Sequence, residues 1–372
     1  PPWINKYYIL DLGERKSFIR YWVEHGHTVF VISWVNPGPE LAHKSFEDYM
    51  LDGPIAAMNA IEQATGERDL NTVGYCIGGT LLGCTLAWQA ARGDDRVKSA
   101  TFLNSLMDFS EVGDLEVFID EDAVGKLEKA MNKQGYLDGA SMATAFNMLR
   151  ANSLIWSFFV NNYLLGRDNA AFDLLYWNAD ATRMPAAMHS FYLRNMYLHN
   201  RLREPGGIEL AGTPIDLGQV KVPSYFASAI EDHIAPWVSC YQGSRYLGGP
   251  VRFVLGGSGH IAGIINPPDR KKYGYRINED SSVDPDAWLR GAQQFEGSWW
   301  PDWTVWAEQF GGGEVAARNA AEGNLPVIEP APGAYLQNRP APSTPAVKTR
   351  RQPPRKKAAP RKRTTASTNS TK

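Results

Sequence analysis

Leu70-Asn-Thr-Val-Gly-Tyr-Cys-Ile-Gly-Gly-Thr80 is the stretch on which the reading of this 372-residue chain turns. A short β-branched run leads into Gly74-Tyr-Cys-Ile-Gly78, and a small, apolar pattern with helical spacing follows to Ala91. Glycines two residues before and after a central cysteine predict a sharp strand-to-helix turn. The central residue of such a turn takes a strained backbone conformation, and the flanking positions must lack a Cβ for it to close. The turn would lift the Cys76 sulfur above a sheet and aim a helix N-terminus at it, which favours the thiolate. It would also point the Ile77 N–H at any oxyanion formed beside the sulfur. The plain alternative is a tight turn around a buried structural cysteine. The strand before and the helix after favour a nucleophile.

Outward from this turn, strands and helices alternate. Thr28-Val-Phe-Val-Ile-Ser-Trp-Val35, Val97-Lys-Ser-Ala-Thr-Phe-Leu103, Val222-Pro-Ser-Tyr-Phe-Ala-Ser-Ala229 and Val251-Arg-Phe-Val-Leu255 are continuous apolar runs, the pattern of buried parallel strands. Residues 14–25, 45–64 and 238–246 have helical spacing between them; Ser45 is a cap with Asp48 in the first turn, and Gly53-Pro54 disturbs the second helix. The alternation predicts a mostly parallel sheet with helices on both faces, with ligands at the carboxyl ends of its strands. A sheet that begins at residue 28 cannot place the elbow centrally, so strands that normally precede residue 1 are expected to be missing.

From residue 107 to about 220 the alternation stops. The segment is helical in pattern, rich in Asn, Met and aromatics, and includes Leu154-Ile-Trp-Ser-Phe-Phe-Val-Asn-Asn-Tyr-Leu-Leu165. It is expected to be a cap or lid, with Thr182 and Pro185 opening a helix that runs to about residue 201. Trp288, Phe295, Trp299, Trp300, Trp303 and Trp306 mark a further helical pattern over 284–310. The organisation is thus a first core part over 1–106, the cap insertion over 107–220, a second core part over 221–325, and a Pro/Ala/Lys/Arg-rich tail over 326–372 expected to be disordered.

The formal charge is −2, but ten Lys/Arg and no acid fall in residues 348–372, so residues 1–347 carry −12. Such a tail reads as an electrostatic arm toward nucleic acid or an acidic partner, or simply as solvated chain. Three cysteines without metal-ligand spacing fit a reducing cytoplasm and no metal site. No run of 18 apolar residues predicts a membrane span.

The chemistry-bearing residues fall in the order Cys76, Asp232, His260, resembling α/β-hydrolases, which place nucleophile, acid and base in that order. Asp232 and His260 each follow a strand, on the same sheet edge as Cys76. His260 lies in Gly256-Gly-Ser-Gly-His260, and this glycine-rich loop would let the imidazole reach back over the sulfur. Asp108 is the alternative acid and His233 the competing base, while Cys84 and Cys240 read as core.

Five blocks extend the resemblance. Pro1-Pro-Trp-Ile-Asn-Lys-Tyr-Tyr-Ile-Leu-Asp-Leu12, Gly74-Tyr-Cys-Ile-Gly-Gly-Thr80, Asp173-Leu-Leu-Tyr-Trp-Asn178, Glu231-Asp-His-Ile-Ala-Pro-Trp237 and Gly256-Gly-Ser-Gly-His-Ile-Ala-Gly263 together resemble the catalytic half of a polyhydroxyalkanoate synthase of class I type, over roughly residues 1–338. The resemblance implies an acyltransferase that polymerises short-chain (R)-3-hydroxyacyl-CoA without a cofactor. Cys76 would carry the acyl group, His260 would activate it, and Asp232 would support the histidine or the incoming 3-hydroxyl. Ile77 and Ile4 are the oxyanion donors so implied. A homodimer on the surface of cytoplasmic polymer granules, holding a growing polyester chain, is the expected assembly. The family's large N-terminal domain lies outside these blocks, and the basic tail has no counterpart in them. A cysteine hydrolase similar to dienelactone hydrolase is the competing expectation.

Overall fold

A computed structural model describes residues 1–149 and 173–337. The apolar run at 154–165 and the basic tail lie outside the described residues. Six strands form the central sheet: β1 (Leu70–Tyr75), β2 (Val97–Leu103), β3 (Ser224–Ala229), β4 (Val251–Gly256), β5 (Tyr275–Ile277) and β6 (Gln293–Phe295). They lie side by side in that order. The first four are parallel, and β5 and β6 add on antiparallel. Because β1 to β4 run the same way, Cys76, Asn104, Ile230 and Gly257 all leave the sheet at one edge.

Period-two alternation assigns the two faces. Phe102, Phe226 and Phe253 sit in register across β2, β3 and β4, and the Phe102 and Phe226 rings stack with centroids 4.6 Å apart. That face packs against the helix Ile77–Ala91, the helix Phe46–Met50 and Trp288. Leu103, Tyr225, Ala227 and Val254 face the other way, onto Phe18, Trp22, Trp299, Trp300 and Trp303. Helix Ile77–Ala91 is buried along nearly its whole length, as a helix between sheet and insertion must be. The helix Phe46–Met50 opens on a capping box between Ser45 and Asp48, and a π-helical turn spans Gly53 and Pro54.

Several expectations are corrected. Residues 28–35 form no regular element and join no strand of the described sheet, with Phe30 50% and Val35 61% exposed. β-Branched residues favour extended backbone whether or not a neighbour completes the ladder, and β1, not this run, is the outermost parallel strand of the described sheet. The aromatic pattern over 284–310 is two helices, Pro285–Gly291 and Trp300–Glu308, separated by β6, whose backbone is satisfied by β5. Thr182 caps no helix. The following helix is Ala186–Tyr192, with Pro185 at its N-cap, and it gives way to a π-helical turn at Leu193–Leu198. Among the described residues no helix is long and apolar enough to cross a membrane.

Candidate active site

The turn at Cys76 has the strained geometry its glycines predict. Cys76 has φ 55° and ψ −128°, a conformation that costs a side-chain-bearing residue on the order of 1–3 kcal/mol. Its N–H donates to the Leu103 carbonyl at 2.9 Å, and its carbonyl accepts from Gly79 and Thr80 N–H at 2.9 and 3.2 Å. A Cβ on Gly74 would lie 2.5 Å from Gly79 Cα, and one on Gly78 would lie 2.7 Å from the Pro1 carbonyl oxygen. The first glycine lets strand and helix meet, and the second lets the start of the chain lie over the elbow. Ile77 opens the helix Ile77–Ala91, so its N–H belongs to the positive end of the dipole.

His260 comes back over the elbow from the loop after β4. Its Nδ1 lies 2.6 Å from Asp232 Oδ2, and Nε2 is left for the sulfur. Burial works against a charged imidazole here, but the Asp232 carboxylate and the Cys76 sulfur outweigh it and raise His260 to about 10. Asp232 is held in turn: Oδ1 accepts from Ile234 and Ala235 N–H at 2.8 and 2.9 Å. The two loops are tied together by the Glu231 N–H, which donates to the Ser258 carbonyl at 2.9 Å. The structure thus brings Cys76, Asp232 and His260 to one place.

It does not bring Asp108 there. That buried carboxylate accepts from Ser110 N–H at 2.7 Å, from Asn200 Nδ2 at 2.9 Å and from the Tyr246 hydroxyl, and so pins the loop after β2. His233 offers its carbonyl to the Asp114 N–H at 3.0 Å. Cys84 and Cys240 are fully buried, and burial pushes the Cys84 thiol up to about 12 and Cys240 higher still. Among the described residues no cluster of His, Cys, Asp or Glu could hold a metal ion.

Sequence reasoning missed four groups around the site. Tyr75 and Asn104 donate to the His260 carbonyl, at 2.9 and 2.5 Å. Asn104 has φ 43°, and an asparagine directly after a strand is a residue type that accepts such a bend. Tyr192 and Tyr197 come from the insertion, are within hydrogen-bonding reach of one another, and feel the Cys76 charge; burial raises both hydroxyls, so they stay protonated. Periodicity in the sequence marks these tyrosines only as apolar-face residues of a helix.

Ile4 belongs to a segment, residues 3–6, that is gripped by residues 177–182 of the insertion. Asn5 and Ala181 form an antiparallel bridge. Asn5 Nδ2 donates to the Trp177 and Asn178 carbonyls at 3.2 Å each, and Trp177 Nε1 donates to the Lys6 carbonyl at 2.8 Å. Lys6 Nζ lies 3.2 Å from Asp180 Oδ1, with both side chains almost fully buried.

A model of the alpha/beta hydrolase fold matches residues 11–267. The chain is 55% identical to the poly(3-hydroxyalkanoate) polymerase subunit PhaC of Rhizobium meliloti (strain 1021), over 91% of this chain and 55% of that protein. It is 54% identical to the poly(3-hydroxyalkanoate) polymerase of Methylorubrum extorquens, over 91% of this chain and 56% of that one. Against the polymerase subunit PhaC of Cupriavidus necator the identity is 43%, over 91% and 58%. The chain therefore spans a little over half the length of the relatives it matches. The likeness in sequence is to poly(3-hydroxyalkanoate) polymerases, and the chain itself belongs to the α/β-hydrolase fold family.

Proposed function

We propose that this chain is the catalytic part of an acyltransferase that polymerises short-chain (R)-3-hydroxyacyl-CoA, such as 3-hydroxybutyryl-CoA, into polyhydroxyalkanoate with release of CoA. The observation that carries this reading is the meeting of Cys76, His260 and Asp232 at one sheet edge, in a chain whose relatives are poly(3-hydroxyalkanoate) polymerases.

In the first step His260 takes the thiol proton of Cys76, and the sulfur attacks the thioester carbonyl. The Sγ–C bond forms, the C–S bond to CoA breaks, and the proton passes from His260 to the departing CoA sulfur. A raised imidazole pKa favours taking the thiol proton, and Asp232 holds Nδ1 so that Nε2 faces the sulfur. The exchange of one thioester for another keeps the acyl group activated. In the second step the 3-hydroxyl of a growing chain gives its proton to His260 and attacks the acyl carbon. The C–Sγ bond breaks, and the proton returns to Cys76. This converts thioester to oxoester and runs downhill, which a serine in place of Cys76 would forfeit one step early. Ile77 N–H and Ile4 N–H would hold the oxyanion in both steps; loss of one such donor typically costs about 10²–10³ in rate. The reaction as written needs no cofactor, since the CoA thioester is itself the substrate.

The test is CoA release from 3-hydroxybutyryl-CoA with detection of polymer, on this chain and on this chain joined to the N-terminal part of the Rhizobium relative. Cys76→Ala and Cys76→Ser should abolish CoA release, and near-normal release from either sinks the reading. CoA release that yields free acid without polymer would mark a cysteine hydrolase instead.

A further inference from the structure

Thr182 holds two successive peptides, the one that joins Trp3 to Ile4 and the one that joins Ile4 to Asn5. Its hydroxyl donates to the Trp3 carbonyl, and its N–H donates to the Ile4 carbonyl at 2.8 Å. The residue is only 3% exposed, so water does not compete for these bonds. Nothing about the chemistry of Cys76 requires a threonine there, and the hydroxyl caps no helix.

The direction of one bond fixes another. A trans peptide is planar, with its C=O and N–H pointing opposite ways, so anchoring the Trp3 oxygen sets where the Ile4 N–H points. A carbonyl that accepts a hydrogen bond also polarises its own amide and makes the N–H a stronger donor. The neighbouring grip between residues 3–6 and 177–182, with the buried Lys6–Asp180 pair, holds the segment but leaves the tilt of this one peptide to Thr182. Pro1 and Pro2, just ahead of this segment, lie over Gly78, two residues past Cys76.

We propose that Thr182 is a positioning residue for acyl transfer: its hydroxyl orients the Trp3–Ile4 peptide so that the Ile4 N–H serves, with the Ile77 N–H, as oxyanion donor beside Cys76. This rests on the reading of Cys76 as an acyl acceptor. Thr182 touches neither substrate nor sulfur. Through it, the segment that carries Thr182 also sets one wall of the oxyanion hole, so a change in that segment's seating is felt directly in the chemical step.

Two reactions of the same sulfur separate this role from a merely structural one. Acylation by 3-hydroxybutyryl-CoA, read as first-turnover CoA release, passes through an oxyanion. Alkylation by iodoacetamide, an attack at a saturated carbon, does not. Thr182→Val keeps the shape of the side chain and removes the hydroxyl. It should slow acylation about tenfold or more while alkylation of Cys76 stays within about twofold, a smaller loss than outright removal of a donor. Thr182→Ser, which keeps the hydroxyl, should recover most of the acylation rate. Wild-type acylation in Thr182→Val overturns the proposal, as does a parallel fall of both reactions, which would mark Thr182 as structural. If the wild-type sulfur alkylates but is never acylated, the acyl-acceptor reading itself fails, and the proposal with it.

Discussion

The ring of Tyr75 lies against the imidazole of His260, centroids 5.5 Å apart and planes 26° from parallel, while its hydroxyl donates to the His260 carbonyl. Tyr75 directly precedes Cys76 in the chain. The residue before Cys76 therefore braces His260, and a shift of the elbow carries the imidazole with it. Burial, reinforced by the charges of Cys76 and Asp232, keeps the Tyr75 hydroxyl protonated at any working pH, so it is a donor throughout.

Tyr75→Phe keeps the ring contact and removes the donor. The Asn104 amide still holds the His260 carbonyl, so the loss should be that of one hydrogen bond, about 1 kcal/mol, or roughly a fivefold fall in the rate of CoA release. Tyr75→Phe combined with Asn104→Ala should fall further than either alone. Stopped-flow CoA release on the three variants checks this.

Asp232 and Asp108 should separate cleanly. Asp232→Asn leaves His260 without the charge that outweighs its burial, so its pKa should drop, and CoA release should fall by about 10² or more. The wild-type imidazole gains stability from its raised pKa: that contribution is present below about 6.5 and is lost as pH rises toward about 10. Asp232→Asn should therefore flatten the alkaline limb of stability. Asp108→Asn should instead cost folding free energy, on the order of 1–3 kcal/mol from its buried hydrogen bonds, with a much smaller effect on chemistry. Burial opposes the Asp108 charge, but bonds from Ser110, Tyr246 and Asn200 hold its pKa below the usual carboxylate value. Its stabilisation is present above about 3.8 and disappears as pH falls through the lowered value. Denaturant midpoints against pH distinguish the two aspartates.

His189 sets an acid limit of its own. It is 4% exposed, Nδ1 has no partner among the described residues, and burial lowers its pKa to about 4. The unfolded chain binds a proton near 6.5 and the folded one does not, so stability should fall as pH drops from 6.5 toward 4, by on the order of 3 kcal/mol. His189→Leu should flatten this limb, as seen by chemical denaturation at a series of pH values.

The strand that leads to Cys76, its helix and the strands at 97, 224 and 251 were legible because buried parallel strands are continuous apolar runs and the elbow's glycines answer a local steric need. Residues 28–35 have the same composition without the neighbour, and composition does not report neighbours. β5 and β6 are three residues each, too short to show a period, and β6 divides the tryptophan stripe. The meeting of His260 with Asp232 followed from chain order on a parallel sheet. The partners that brace it did not: Tyr75 and Asn104 lie 185 and 156 residues from His260. Thr182 was misread because a threonine ahead of a proline also fits the start of a helix, and only the fold shows its hydroxyl spent on Trp3.

β1 has a neighbour on one side only among the described residues. The outward main-chain groups of residues 70–75 lie in no ladder, whereas β3 is flanked on both sides. Edge strands are where a sheet opens first and where it recruits another chain. In deuterated solvent the outward amides of β1 should exchange well before those of β3, so Cys76 follows the least protected of the described parallel strands. Cys76 consequently follows a strand whose outer side, among the described residues, is open to a second strand docking alongside.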